Sequence, residues 1–394
     1  MKPTRRSRIP WLLAIGALCV SSTHLPAATR AKANNADNLN LASSWTNNLI
    51  PGSADVALFD SVVTTPISVS LGANTSWNQI NFANPGGDVT LSAGNTLTLS
   101  NNTPLTFGAG TASLTLDCDL VCAGASFGTL PAAPTNRTLT IGGAIQGRAA
   151  TVTLGNNTGT LRLSSSLSTQ IGSTVQITTA GLKVGIGASS VGDPIVSGPL
   201  GTNLFTWNTT SLGTELFAYN GDQTLGNPVR VQASPLTFNS ADDLTFTGVA
   251  DLNNGNRTLN VTSNGVLRFT GIISNATGLT KTGPGLLELG VTNVATFANG
   301  LSIFGGTVRL LTNNVIPEGG SAGTLRMTNT TEVLDLNGFS DIVRGVTGSG
   351  GSGNWGGTLD NTAPNTSSTL TLGDNFQYTI AGMVQNSGLN AKLA

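Results

Sequence analysis

Most of the chain is written in short runs in which apolar and polar residues alternate. Asp88–Leu91 (DVTL), Thr96–Ser100 (TLTLS), Ser113–Asp117 (SLTLD), Thr151–Gly155 (TVTLG) and Thr174–Thr179 (TVQITT) are examples, with Gly, Asn, Asp and Pro between them. A period of two puts every second side chain on one face, so each run predicts a strand with one apolar side. The runs also repeat. Gly, Thr or Val, Leu or Val, Arg and a large apolar residue occur in that order at Gly159, Gly265, Gly306 and Gly323. Alternation sends the third and fifth residues to one face and the Arg to the other. A longer unit appears as RTLNV at Arg257 and STLTL at Ser368, each with a Gly twelve residues after its Leu, at Gly271 and Gly382. A shortened relative, RTLTIGGAIQ, begins at Arg137.

Many short strands first suggest a sandwich or barrel. Repeated units with no natural closing number favour a solenoid, in which each coil stacks on the last. In a parallel β-helix each side chain stands above its counterpart one coil below, so columns of Asn, Thr, Val or Leu extend along the axis. At about 20–25 residues per coil, the residues after an N-terminal leader make about 15–18 coils and a rod of roughly 70–85 Å. The stretch Lys281-Thr282-Gly283-Pro284-Gly285 is then a corner. Gly283 and Gly285 are expected to take conformations barred to other residues, and Pro284 sits where no ladder hydrogen bond is lost.

Composition narrows the functional classes. Of 394 residues 9% are charged and 5% aromatic, while 50 are glycine. An apolar share of 39% is enough to build a core, so low charge does not imply disorder. Residues 1–33 read as a secretory signal. Lys2, Arg5, Arg6 and Arg8 precede an apolar Trp11–Val20 stretch, and cleavage positions follow at Ala28 or at Ala31-Lys32-Ala33. The apolar stretch is too short to span a membrane. Arg5-Arg6 fits a twin-arginine signal poorly, and Cys19 after Leu18 does not fit a lipoprotein signal. Losing this leader removes six of the 18 basic residues and none of the 19 acidic ones, leaving a net charge of −7. That excludes nucleic acid and an anionic membrane surface as natural partners. The only histidine, His24, leaves as well.

Residues from about Gly255 to Ala394 carry a family resemblance. GLTKTGPGLLEL (Gly278–Leu289), ATFANGLSIFGGTVRLL (Ala295–Leu311) and LDLNGFSDIVRGVTGSG (Leu334–Gly350) are similar to the autotransporter-associated β-strand repeat. SSWTNNLIPGSADVALFD, with Trp45 and Asp55, resembles the usual opening of such proteins. The resemblance implies a right-handed parallel β-helix exported to the surface of Gram-negative-type bacteria. Complete members can end in an outer-membrane β-barrel or another sorting segment. Leu393-Ala394 align with Leu279-Thr280, so KTG would come next, and the sequence is expected to be a fragment or a prematurely ended reading frame. The organisation expected is a signal over 1–33, divergent β-helical repeats over 34–254 and the recognisable repeat over 255–394.

Candidate chemistry is sparse. GASFG around Ser126 and GGSAG around Ser321 match a nucleophile elbow, but the exported chain has no histidine to serve as base. GSGGSG (Gly348–Gly353) lacks the strand before and helix after that a dinucleotide site needs, and reads as a loop. Two cysteines without histidine make no zinc site. Cys118 and Cys122 are expected as small buried residues on one strand face, with a disulfide across a tight turn as the alternative. Asp117 with Asp119, expected on one strand face, and Asp242 with Asp243 are the pairs that could act as acid and base or hold Ca²⁺. They support the alternative of a polysaccharide lyase or glycosidase, and contact of either pair with Arg or Lys in a lateral groove would favour it. Sugar-stacking candidates are Trp45, Trp77, Trp207, Trp355, Tyr219 and Tyr378, with Trp355 expected to be the most exposed. The reading that results is non-enzymatic: an all-β stalk or passenger with no catalytic, cofactor or metal site. Its expected partners are cell-surface glycans or matrix.

Overall fold

Alternation becomes strand because each inward residue meets its counterpart in the coils on either side. In the computed structural model, Leu116, Ile141, Leu163, Ile186 and Ala218 stand one above another in successive parallel strands, and all five are buried. The structure describes residues 27–393 apart from 125–128, 148–150, 156, 170, 291–298, 318–322, 349–350, 353, 374–378 and 381. The outward column beside that one is Thr115, Thr140, Arg162, Gly185 and Phe217. Each Arg of the four repeated pentads lies between two buried apolar residues: Leu161 and Leu163, Leu267 and Phe269, Val308 and Leu310, Leu325 and Met327. The expected two-faced pattern therefore holds.

The architecture is an all-β solenoid of parallel strands with about 14 turns. Three strands make one turn. Gln79–Phe82, Val89–Leu91 and Thr96–Leu99 are followed one coil later by Leu105–Phe107, Leu114–Leu116 and Asp119–Cys122, each paired with its predecessor. Farther along, Ala250–Val261 and Ile273–Thr282 each run along two sides without a break. They bend at Asn253, Asn254 and Asn275, whose φ angles are 51°, 50° and 51°. Among the described residues every non-glycine residue with positive φ is an asparagine, the side chain that best tolerates the left-handed region. The asparagine richness of the sequence is in part a corner requirement.

Most coils have the expected length, as at Val56 with Gln79 and Leu244 with Leu267, but some are longer, and the turns number about 14 rather than 15–18. Paired residues are 20 positions apart at Leu267 and Leu287 but 32 apart at Lys183 and Glu215. The extra length is segment 187–203, which lies outside the ladder of named strands.

The interior is continuous. Phe205, Phe246 and Phe269 stack with centroids 6.4 and 5.3 Å apart, and Trp45 meets Trp77 edge-on at 5.8 Å. Trp45 belongs to an irregular first coil, where its Nε1 donates to the Leu39 carbonyl at 2.9 Å. No helix among the described residues is long and apolar enough to cross a membrane.

The KTGPG corner is held by its lysine. Lys281 is fully buried, and its Nζ donates to the carbonyls of Thr282, Gly283 and Gly305 at 2.8, 2.8 and 3.0 Å. One side chain thus ties two successive corners together, and burial pulls its ammonium down to about 7. Gly283 adopts φ 76° as expected, whereas Gly285 does not have positive φ. At Gly285 the need is for closeness, since a Cβ there would lie 2.5 Å from the Ser263 carbonyl.

The next corner up supplies a test. Gly306 has φ 65°, and a Cβ on it would lie 2.4 Å from the Gly285 carbonyl, whereas Gly94 has φ 113° with open space around it. Gly306→Ala is expected to cost about 2 kcal/mol or more, and Gly94→Ala only the backbone part, about 1 kcal/mol. Thermal midpoints of the two variants give the comparison. Equal losses would mean that the corners do not pack as closely as the structure has them.

Candidate functional site

With the core filled by side chains, the chemistry open to the protein lies on the outer wall and at the ends. Asp117 and Asp119 do not share a strand face. The chain turns a corner between them, so Asp117 follows the Leu114–Leu116 strand while Asp119 begins Asp119–Cys122 on the next side. Asp119 Oδ1 accepts the Ala144 amide at 2.9 Å. Asp117 lies over Gly142 of the next coil, where burial pushes its carboxyl up. Buried Cys118 stands between them.

The second pair is also committed to the backbone. Asp242 Oδ2 accepts the Gly221 amide at 3.1 Å, and Asp243 Oδ1 accepts the Val266 amide at 2.8 Å. Asp243 does meet a cation, with Arg268 Nη2 at 3.6 Å. That guanidinium, however, is bound through Nε to Glu288 at 2.5 Å. The same use of acidic and amide side chains recurs elsewhere. Asn74 Oδ1 accepts the Thr96 amide, Asp88 that of Ser113 and Asp222 that of Asp243. Through one side-chain oxygen each, these residues cap backbone amides of the following coil. No group of three or more His, Cys, Asp and Glu among the described residues is placed to hold a metal ion.

The main electrostatic feature was not visible in the sequence. Thr245, Arg268, Glu288, Arg309, Asp335 and Asp360 occupy one outward column through successive coils. Arg309 reaches Glu288 at 3.3 Å through Nη1 and Asp335 at 2.7 Å through Nε. The Glu288 and Asp335 side chains are only 7% and 1% exposed, so these pairs have little contact with solvent. Asp335 also accepts from the Thr362 hydroxyl at 2.6 Å, and Asp360 from that of Ser387 at 2.7 Å. The column fastens neighbouring coils and leaves no carboxylate free for proton transfer to a substrate.

Cys118 and Cys122 are both free and fully buried, and burial pushes each thiol up to about 12. Trp45, Trp77, Trp207 and Trp355 are buried too. Trp355 reverses the expectation of exposure. It is 2% exposed and lines an apolar cavity of about 180 Å³ with Val346, Leu359, Leu370, Leu372, Val384 and Leu393. Its glycine neighbours suggested a loop, but the coil turns it inward. Tyr219 is half-buried on the wall beside Phe217, and Arg162 lies 5.0 and 5.9 Å from the two ring centroids. Side chains at 185 and 187 would collide with these rings, and both positions are glycine. Ser126, Ser321 and Tyr378 lie outside the described residues, as does part of Gly348–Gly353.

No family model and no solved structure matches the chain. A segment of 164 residues, 41% of the chain, is 30% identical to a protein of Brucella suis biovar 1 (strain 1330) named "Adhesin BmaC autotransporter". The match covers 4% of that protein's length. An autotransporter adhesin as relative, together with a β-solenoid fold, is consistent with a passenger-type repeat protein.

Two outcomes follow for the wall and core. Cys118 and Cys122 are expected to resist iodoacetamide at pH 8 in the native protein and to react fully in denaturant, as mass spectrometry would read. Arg309→Met leaves Glu288 and Asp335 without their shared partner. It is expected to weaken the flanking coils by about 3 kcal/mol, and hydrogen exchange in the Leu286–Leu289 and Glu332–Asp335 strands should accelerate roughly a hundredfold. Unchanged exchange there would remove the column's fastening role.

Proposed function

We propose that the chain is a segment of an exported, non-enzymatic stalk or passenger of a bacterial surface protein, and that it contributes to adhesion. The observation that carries this reading is the stack of coils among the described residues, in which most of the acidic side chains described above hold one coil to another. About 14 turns at about 4.8 Å each make a rod of roughly 65–70 Å. Reach and a long lateral wall are what such a rod offers. The likeness to an autotransporter adhesin supports the same reading. The lyase or glycosidase alternative has no comparable support, because both carboxylate pairs act in corners and not in a groove.

We assign contact to the Arg162, Phe217 and Tyr219 patch, the part of the wall where two rings lie beside a cation. Its surface suits the faces of sugar rings or extended matrix chains.

The test is display of residues 28–394 on an inert outer-membrane anchor, followed by attachment to glycan-coated and matrix-coated surfaces. Attachment several-fold above the anchor alone is expected, with most of the gain lost in a Phe217→Ala, Tyr219→Ala variant. No gain on any surface would overturn the adhesive reading, and release of oligosaccharides from a polysaccharide would overturn the non-enzymatic one.

A further inference from the structure

We infer that the exported chain is cut between Ala27 and Ala28, and that the new α-ammonium of Ala28 closes the first coil by pairing with Asp55. The inference rests on the export reading. The best formal cleavage motif is Ala31-Lys32-Ala33, yet these residues are part of the fold. Thr29–Ala31 is a strand in parallel register with Val56–Leu58. The Val56 amide donates to the Ala28 carbonyl at 2.9 Å, and the Lys32 amide to the Leu58 carbonyl at 2.8 Å. Lys32 is fully buried. Its Nζ donates to the carbonyls of Ala33 and Asn35 and to Asn35 Oδ1 at 2.9, 2.8 and 2.7 Å. Thr46 donates to the Ala31 carbonyl and Ala33 to that of Ser44. A cut after Ala33 would strip all of this away and leave the Val56–Phe59 strand as a bare edge.

Asp55 fixes the position to one bond. Its Oδ1 lies 3.1 Å from the Ala28 nitrogen. Its Oδ2 takes the Gly52 amide at 3.0 Å and faces Arg30 Nε at 3.7 Å. Ala27 is exposed, and Ala28 is the first half-buried residue among those described. A cut one residue later, after Ala28, would lose both the Val56 acceptor and the nitrogen facing Asp55. A cut before Ala28 keeps both and replaces an amide N–H with a charged donor, a stronger partner for a carboxylate. In the reaction, water adds across the Ala27–Ala28 amide. The Ala27 carbonyl carbon keeps the oxygen and leaves as carboxylate, and the Ala28 nitrogen leaves as ammonium. A membrane-bound signal peptidase is the catalyst; small Ala27 provides the residue on its acyl side, while Leu25 two positions earlier departs from the small-x-small pattern.

The test expresses the full chain in an export-competent Gram-negative host and determines the amino terminus by sequencing and intact mass. A chain beginning with Ala28 is expected. One beginning at Asn34, or at any other internal residue, would overturn the assigned bond while leaving export intact. A chain that keeps Met1 would overturn export itself. Ala27→Leu is expected to cut the processed fraction severalfold, whereas Ala33→Leu should leave the terminus at Ala28. In the processed protein, Asp55→Asn is expected to speed acylation of the Ala28 amine severalfold, because the carboxylate no longer holds it protonated. An unchanged acylation rate would overturn the ion pair.

Discussion

Each coil in this protein satisfies its backbone through the coils before and after it. The parallel ladders join residues 20 to 32 positions apart, as Leu267 with Leu287 and Lys183 with Glu215; among the described strands, Gly345–Gly348 with Gly351–Ser352, a short antiparallel pair, is the exception that bonds to its neighbour in sequence. That constraint fixes the rest. Sides must carry small or branched residues in alternation, corners must superimpose, and anything that disturbs one corner disturbs the next. The burial of Lys281 under three carbonyls from two coils shows how far the chain goes to align successive turns.

The low charge content follows from the same constraint. A stacked wall places like residues above one another, and a column of equal charges would repel at about 4.8 Å spacing. Along one column the sign instead alternates over Arg268, Glu288, Arg309 and Asp335, and where a second carboxylate, Asp360, follows Asp335, it accepts from the Gln385 and Ser387 side chains. Most other acidic side chains named here sit in corners, where they accept an amide of an adjacent coil. Charge is therefore engaged in cohesion, which is why the carboxylate pairs suggested by the sequence do not converge on a substrate groove. The long wall that remains is suited to contact along its length.

The sides of the coil were legible because period two is a local signal. Leu161, Arg162 and Leu163 reveal their directions within three residues. The KTGPG corner was legible too, through Gly283 and Pro284, although Gly285 is required for close approach and not for its φ. What the sequence hid are features whose partners lie a full coil away. The ion-pair column joins residues 20 to 26 positions apart, such as Arg268 with Glu288 and Arg309 with Asp335, and no window of the sequence contains a pair. Trp355 misled for the reverse reason: its neighbours are glycine, but its environment comes from Leu359, Leu370 and Val384. The break between Asp117 and Asp119 was hidden because Leu116, Cys118 and Leu120 continue the alternation straight through a corner.

Everything above depends on the stacking register, and an engineered disulfide reads that register directly. Thr115 and Thr140 are outward partners in adjacent coils, at about 4.8 Å, within the Cα separation a disulfide needs. A Thr115→Cys, Thr140→Cys variant should form that bond quantitatively under mild oxidation of the native protein. Thr115→Cys with Thr138→Cys, displaced by two residues along the strand and so roughly 8 Å apart, should not. Equal bonding in both variants, or none in the first, would contradict the account.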